Sequence, residues 1–90
     1  MNLNAKDIDN NWLEGVFERF ETPLLRYVAR FLARHDLAQD VVQDAFVKLC
    51  HQDAEALGTS VGAWLYRVCR NRALDVLKKE KRMQGMPSHD

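Results

Sequence analysis

Ninety residues suffice for one hydrophobic core and not for two, which excludes a multidomain enzyme. Charged residues at 29% with an apolar share of 47% form a globular mixture, and 4 Gly and 2 Pro exclude a low-complexity chain. A formal net charge of +0 conceals an asymmetry: residues 1–60 hold six basic against ten acidic side chains, and residues 61–90 seven against three. Such a split marks either a solvated face or an interaction surface.

Residues 1–9 read as an N-terminal tail. They lack the basic-then-apolar order of a signal peptide, and no apolar run in the chain approaches the roughly 18 residues of a membrane span. A cytoplasmic protein without a membrane partner is expected. Next, Leu13, Val16, Phe17, Phe20, Leu24, Tyr27, Val28, Phe31 and Leu32 recur at spacings of three and four, which predicts a helix over 10–34 with Asp9 or Asn10 as its cap. Pro23 lacks a backbone donor and crowds the preceding turn, so it either kinks this helix or starts a second one. The stripe continues in phase across it, which favours a kink.

His35-Asp36 breaks the stripe, and Asp36 with Gln39 three residues on has the form of a capping pair for a second helix. Ala38, Val41, Val42, Ala45, Phe46 and Leu49 fall on one side of it. Asp36, Gln39, Asp40, Gln43, Asp44 and Val47 fall on the other, an acidic and amide-rich face. From His51 to Ser60 the chain is small and polar and includes Gly58, which predicts a loop, with Thr59 or Ser60 capping the next helix. That third helix is expected from Val61 to about Arg82. Leu65, Cys69, Ala73, Val76 and Leu77 form its apolar arc with Tyr66 at the margin; Trp64, Arg67, Arg70, Asn71, Asp75, Lys78 and Arg82 form the opposite one. Residues 83–90 show no pattern and read as a C-terminal tail or the start of a linker. The expected fold is all-α, a three-helix domain over residues 10–82.

Catalytic chemistry finds little support. Cys50-His51 and Cys69 supply metal-ligating atoms, but no Cys-x-x-Cys occurs and Cys69 sits mid-arc, so ordinary reduced cysteines and no metal or cofactor are expected. His35, His51 and His89 lie at helix ends or in the tail, away from a nucleophile they could activate. No Gly-rich phosphate loop is present. Non-catalytic binding is the expectation.

Two faces could bind. In the third helix Trp64 lies on the polar arc, one turn before Arg67 and two before Asn71, the interleaving of aromatic, cation and amide that single-stranded nucleic acid requires. From periodicity alone the plainer reading packs Trp64 against the loop or the first helix as a core-edge residue. Arg70 and Arg72 cannot both face one groove. The carboxylates and amides of the second helix suit a basic helical partner, or are simply a solvated face.

Ala38-Gln39-Asp40-Val41-Val42-Gln43-Asp44-Ala45-Phe46, followed by Trp64-Leu65-Tyr66-Arg67-Val68-Cys69-Arg70-Asn71-Arg72-Ala73-Leu74-Asp75, closely resembles region 2 of bacterial RNA polymerase sigma factors of the extracytoplasmic-function type, over about residues 12 to 82. The resemblance implies that the second helix binds the clamp helices of the polymerase β′ subunit, with Asp40 and Gln43 central. It also implies that the loop and third helix recognise the non-template strand of the promoter −10 element as the duplex opens. The polymerase-facing set is then Asp36, Gln39, Asp40, Gln43, Asp44 and Val47. The DNA-facing set is Trp64, Arg67, Arg70, Asn71, Lys78 and Arg82, with Asn71 and the loop helping to hold an extruded base. An anti-sigma factor is a further implied partner.

Three departures stand out. Gln39 replaces the family's usual Glu, the loop carries Asp53 and Glu55 without a base between His51 and Ser60, and the resemblance stops short of the second helical domain that normally reads the −35 element. The rival reading is a protein-binding adaptor or decoy that never touches DNA.

Overall fold

The structure, a computed structural model, describes residues 10–83, with side chains from Asn11 to Lys81. The expected N-terminal tail with its cap Asp9, and residues 84–90 of the expected C-terminal tail, lie outside the described residues. In order the chain forms α1 (Asn10–Val28), α2 (His35–Leu49), a one-turn α3 (Ala54–Leu57), a 3-10 turn (Gly58–Ser60) and α4 (Val61–Met83). Three long helices pack pairwise, and the described residues contain no strand. The fold is all-α as the periodicity requires.

The first helix is shorter than the 10–34 expected. It passes through Pro23 as one helix; the proline is exposed, so the Arg19 carbonyl that loses its helical donor can turn to water. It ends at Val28, where the bonding tightens: the Arg30 amide donates to the Tyr27 carbonyl (3.1 Å) and the Phe31 amide to the Val28 carbonyl (2.8 Å). Those turns still carry Phe31 and Leu32 to the core, which is why the apolar stripe reads on beyond the helix itself.

The expected Asp36–Gln39 capping pair does not form. The helix begins one residue before Asp36, so extended Arg34 occupies the cap position without a side-chain cap bond, and Asp36 lies within the first turn. There it accepts two hydrogen bonds from Arg34, at 2.7 Å from Nη2 and 3.2 Å from Nε. Its charge also complements the helix's positive end.

The 51–60 segment, expected as a loop, contains α3. Asp53 caps it by accepting a hydrogen bond from the Glu55 amide at 3.0 Å. Gly58 then adopts φ +52°, a conformation that side chains with a Cβ resist, and the chain enters α4 through the 3-10 turn. Thr59 and Ser60 are therefore helical instead of capping.

α2 packs on both α1 and α4, which also pack on each other. Its six predicted inward residues, Ala38, Val41, Val42, Ala45, Phe46 and Leu49, are all buried. They meet Val16, Leu24, Val28 and Leu32 from the first segment and Leu65, Cys69 and Ala73 from α4. Full burial of a leucine or phenylalanine contributes about 1.5–3 kcal/mol, so this cluster is the source of stability. No described polar or charged residue is buried. Both polar faces therefore remain at the surface.

Candidate functional site

The outer face of α2 is open where the alternation placed it. Asp36, Gln39, Asp40, Gln43 and Val47 are exposed and Asp44 is half-buried. They are not equally available. Asp36 is engaged by Arg34, whose hydrogen bond holds its carboxyl below the ordinary range, and Arg34 also lies 3.9 Å from Glu80 of α4. Asp44 pairs with Arg72 at 3.3 Å. Among the described residues nothing holds Gln39, Asp40 or Gln43, so the uncommitted polar groups concentrate within one turn of α2.

On α4, Arg67, Arg70, Asn71 and Lys78 are exposed. Arg67, Asn71 and Lys78 share one arc, spanning about 17 Å at the helical rise. Trp64 is half-buried and packs against the core edge while keeping part of its surface in solvent. Arg72 turns toward α2 and its Asp44 carboxylate, which separates it from Arg70. The side chain of Arg82 lies outside the described residues.

The turn before α4 meets α1 and not Asn71. A cleft of about 590 Å³ is lined by Trp12, Arg19 and Phe20 from α1 and by Gly58, Thr59, Val61 and Gly62. Gly62 permits this approach: a Cβ there would stand 2.9 Å from Phe20 Cζ. Asn71 lies nine residues beyond Gly62, roughly 13 Å along the axis, so the turn and Asn71 form separate parts of the α4 surface. A second, apolar groove of about 540 Å³ opens between α1 and α2. Sequence reasoning missed both. The signal available was the breadth of the apolar surface of α1, whose edges Trp12 and Phe17 lie about 140° apart around the helix, wider than a stripe of roughly 100°.

Both cysteines are free, Cys50 exposed and Cys69 buried, and burial pushes the Cys69 thiol up to about 11. No three His, Cys, Asp or Glu side chains among the described residues come together as a metal requires. No helix of the described residues is long and apolar enough to cross a membrane.

With this arrangement in place, comparison with known proteins is specific. The Sigma-70 region 2 family model matches residues 16–83, and the chain belongs to that family. It is also similar to RNA polymerase sigma factor SigZ of Bacillus subtilis (strain 168), 24% identical over 76 residues that take in 83% of this chain and 43% of that protein. The chain thus spans less than half the length of that curated relative. No solved structure matches.

Proposed function

We propose that this chain is the region 2 module of an RNA polymerase sigma factor of the extracytoplasmic-function type, a non-catalytic adaptor acting in transcription initiation. In this reading α2 docks on the β′ clamp helices of polymerase core through Gln39, Asp40 and Gln43, with Asp36, Asp44 and Val47 at the margins. α4 and the turn before it recognise the non-template strand of the −10 element as it separates. Cations at Arg67, Arg70, Lys78 and Arg82 follow the phosphates, Trp64 offers its exposed part to a base, and Asn71 offers an amide to a base edge. An anti-sigma factor would act by covering one of these faces.

The observation that carries the reading is that the unengaged polar turn of α2 and the exposed cations Arg67, Arg70 and Lys78 of α4 both stay at the surface of a wholly apolar core, one acidic and one basic. A basic partner suits the first and a nucleic acid the second. Titration of the chain against polymerase core tests it. Asp40→Ala and Gln43→Ala should each weaken binding while leaving the unfolding midpoint in place, and a clamp-helix variant of β′ should weaken it too; unchanged affinity throughout would sink the docking assignment.

Single-stranded −10 oligonucleotides, added to the chain bound on core, test the other face. Asn71→Ala should lose selectivity among sequences, whereas Arg67→Ala should weaken all of them alike. Each phosphate contact should steepen the salt dependence of log affinity by about 0.7. An adaptor that does not touch DNA would give no such dependence.

A further inference from the structure

Among the described residues, Phe17 and Val47 are the exposed large apolar side chains, at 37% and 56%. Both line the groove between α1 and α2, together with Leu13, Phe46 and Cys50. The Phe17 ring stands edge-on to Phe46 with centroids 4.9 Å apart, so the groove wall is already formed in the isolated domain. Among the described residues the charged side chains of the lining are Glu14 and Glu18, both from α1, with no base beside them. Apolar surface gathered in one concave place and rimmed by charge marks a binding site.

The rim selects the occupant. Nucleic acid is disfavoured, because phosphates would approach two carboxylates and, among the described residues, no cation. A second copy seated symmetrically would set Glu14 and Glu18 against their own equivalents. A helix with an apolar side chain and lysine or arginine beside it matches both the lining and the charge. Position agrees. Val47 belongs at once to the groove and to the outer face of α2, and lies seven residues from Asp40, about 10 Å of helix rise.

We propose that the α1/α2 groove is a socket for an apolar side chain carried on the same basic polymerase helix that meets Gln39, Asp40 and Gln43. The inference rests on the reading of α2 as the core-docking face and extends that face onto α1, through Leu13, Glu14, Phe17 and Glu18.

Cys50 supplies a readout that needs no variant. It is exposed in the groove lining, whereas Cys69 is sealed with its thiol pushed up to about 11, so a thiol reagent at neutral pH modifies Cys50 first. The experiment follows Cys50 alkylation in the chain with and without saturating polymerase core. It also compares core affinity for Val47→Asn, the double variant Glu14→Lys/Glu18→Lys, and Asp40→Ala.

Protection of Cys50 in the complex, a loss of about tenfold for Val47→Asn, and a salt-sensitive loss for the double variant are expected. Alkylation at the free rate in the saturated complex overturns the socket. So does parental affinity in both groove variants while Asp40→Ala binds weakly, a result that leaves the α2 reading standing. Parental affinity in Asp40→Ala as well removes that reading and the socket with it. If the chain alone sediments as a dimer that Val47→Asn dissociates, the occupant is a second copy and the proposal fails.

Discussion

Arg72 Nε lies 3.3 Å from Asp44 Oδ2, joining α2 to α4 across the edge of the core. The pair takes one cation from the basic helix and one carboxylate from the acidic one, so formal charge overstates what either face can offer a partner. Both side chains are about two-fifths exposed, at 41% and 42%, and an ion pair so open to solvent contributes at most about 1 kcal/mol to stability.

Asp44 and Asp40, one turn apart on α2, should therefore respond differently to truncation. Asp44→Ala should lower unfolding free energy in urea by less than about 1 kcal/mol and reduce polymerase-core affinity less than Asp40→Ala does, because its carboxylate already has an internal partner. Titration of both variants against core checks the order. Equal losses would show that Asp44 leaves Arg72 to join the interface.

The α2 face was legible because its pattern is one-sided: six apolar residues at helical spacing put Gln39, Asp40 and Gln43 outside with no other element needed to place them. The bend between α1 and α2 was not. No Gly or Pro occurs between Pro23 and Gly58, and Leu32 keeps the helical phase of Leu24 and Val28, so the end of the helix at Val28 leaves no local signature in the sequence. Asp36 misled because a capping pair is specified by spacing alone, whereas the helix starts one residue earlier, at His35. The two grooves unite Trp12 with Gly58 and Leu13 with Cys50. Nothing short of the packed helices brings those residues together. Trp64 remained open between base stacking and core-edge packing because its arc position is marginal, and it is half-buried.

Gly62 and Phe20 make a second separable test. Replacing Gly62 by Ala should strengthen α4 by about 1 kcal/mol through helix propensity, but its Cβ would stand 2.9 Å from Phe20 Cζ and 3.0 Å from Cε1. Overpacking of this kind costs about 1–3 kcal/mol, so the substitution should be destabilising on balance. In a Phe20→Leu background the contact is relieved and the same substitution should stabilise. Urea unfolding of the four chains measures the coupling; simple additivity would mean that the Phe20 ring swings freely into the adjoining cleft.

Cys69 makes stability depend on alkaline pH, and the sign can be worked out. The folded chain holds the Cys69 proton up to about pH 11, whereas the unfolded chain releases it near the ordinary value of 9.0. Below about pH 9 both states carry the proton and the contribution is fully present. Between the two values the unfolded state binds fewer protons, so stability falls as pH rises, by about 1.4 kcal/mol per unit and roughly 2–3 kcal/mol in all. Cys69→Ala cannot titrate; it should start less stable because of the cavity it leaves in the core, and then lose less on going from pH 8 to 11. Subtracting the two urea series removes the contribution of tyrosines and lysines that titrate in the same range. A difference that stays constant with pH would show that the thiolate is hydrated where it stands, and that the contact of α4 with α2 around Leu65, Cys69 and Ala73 admits water.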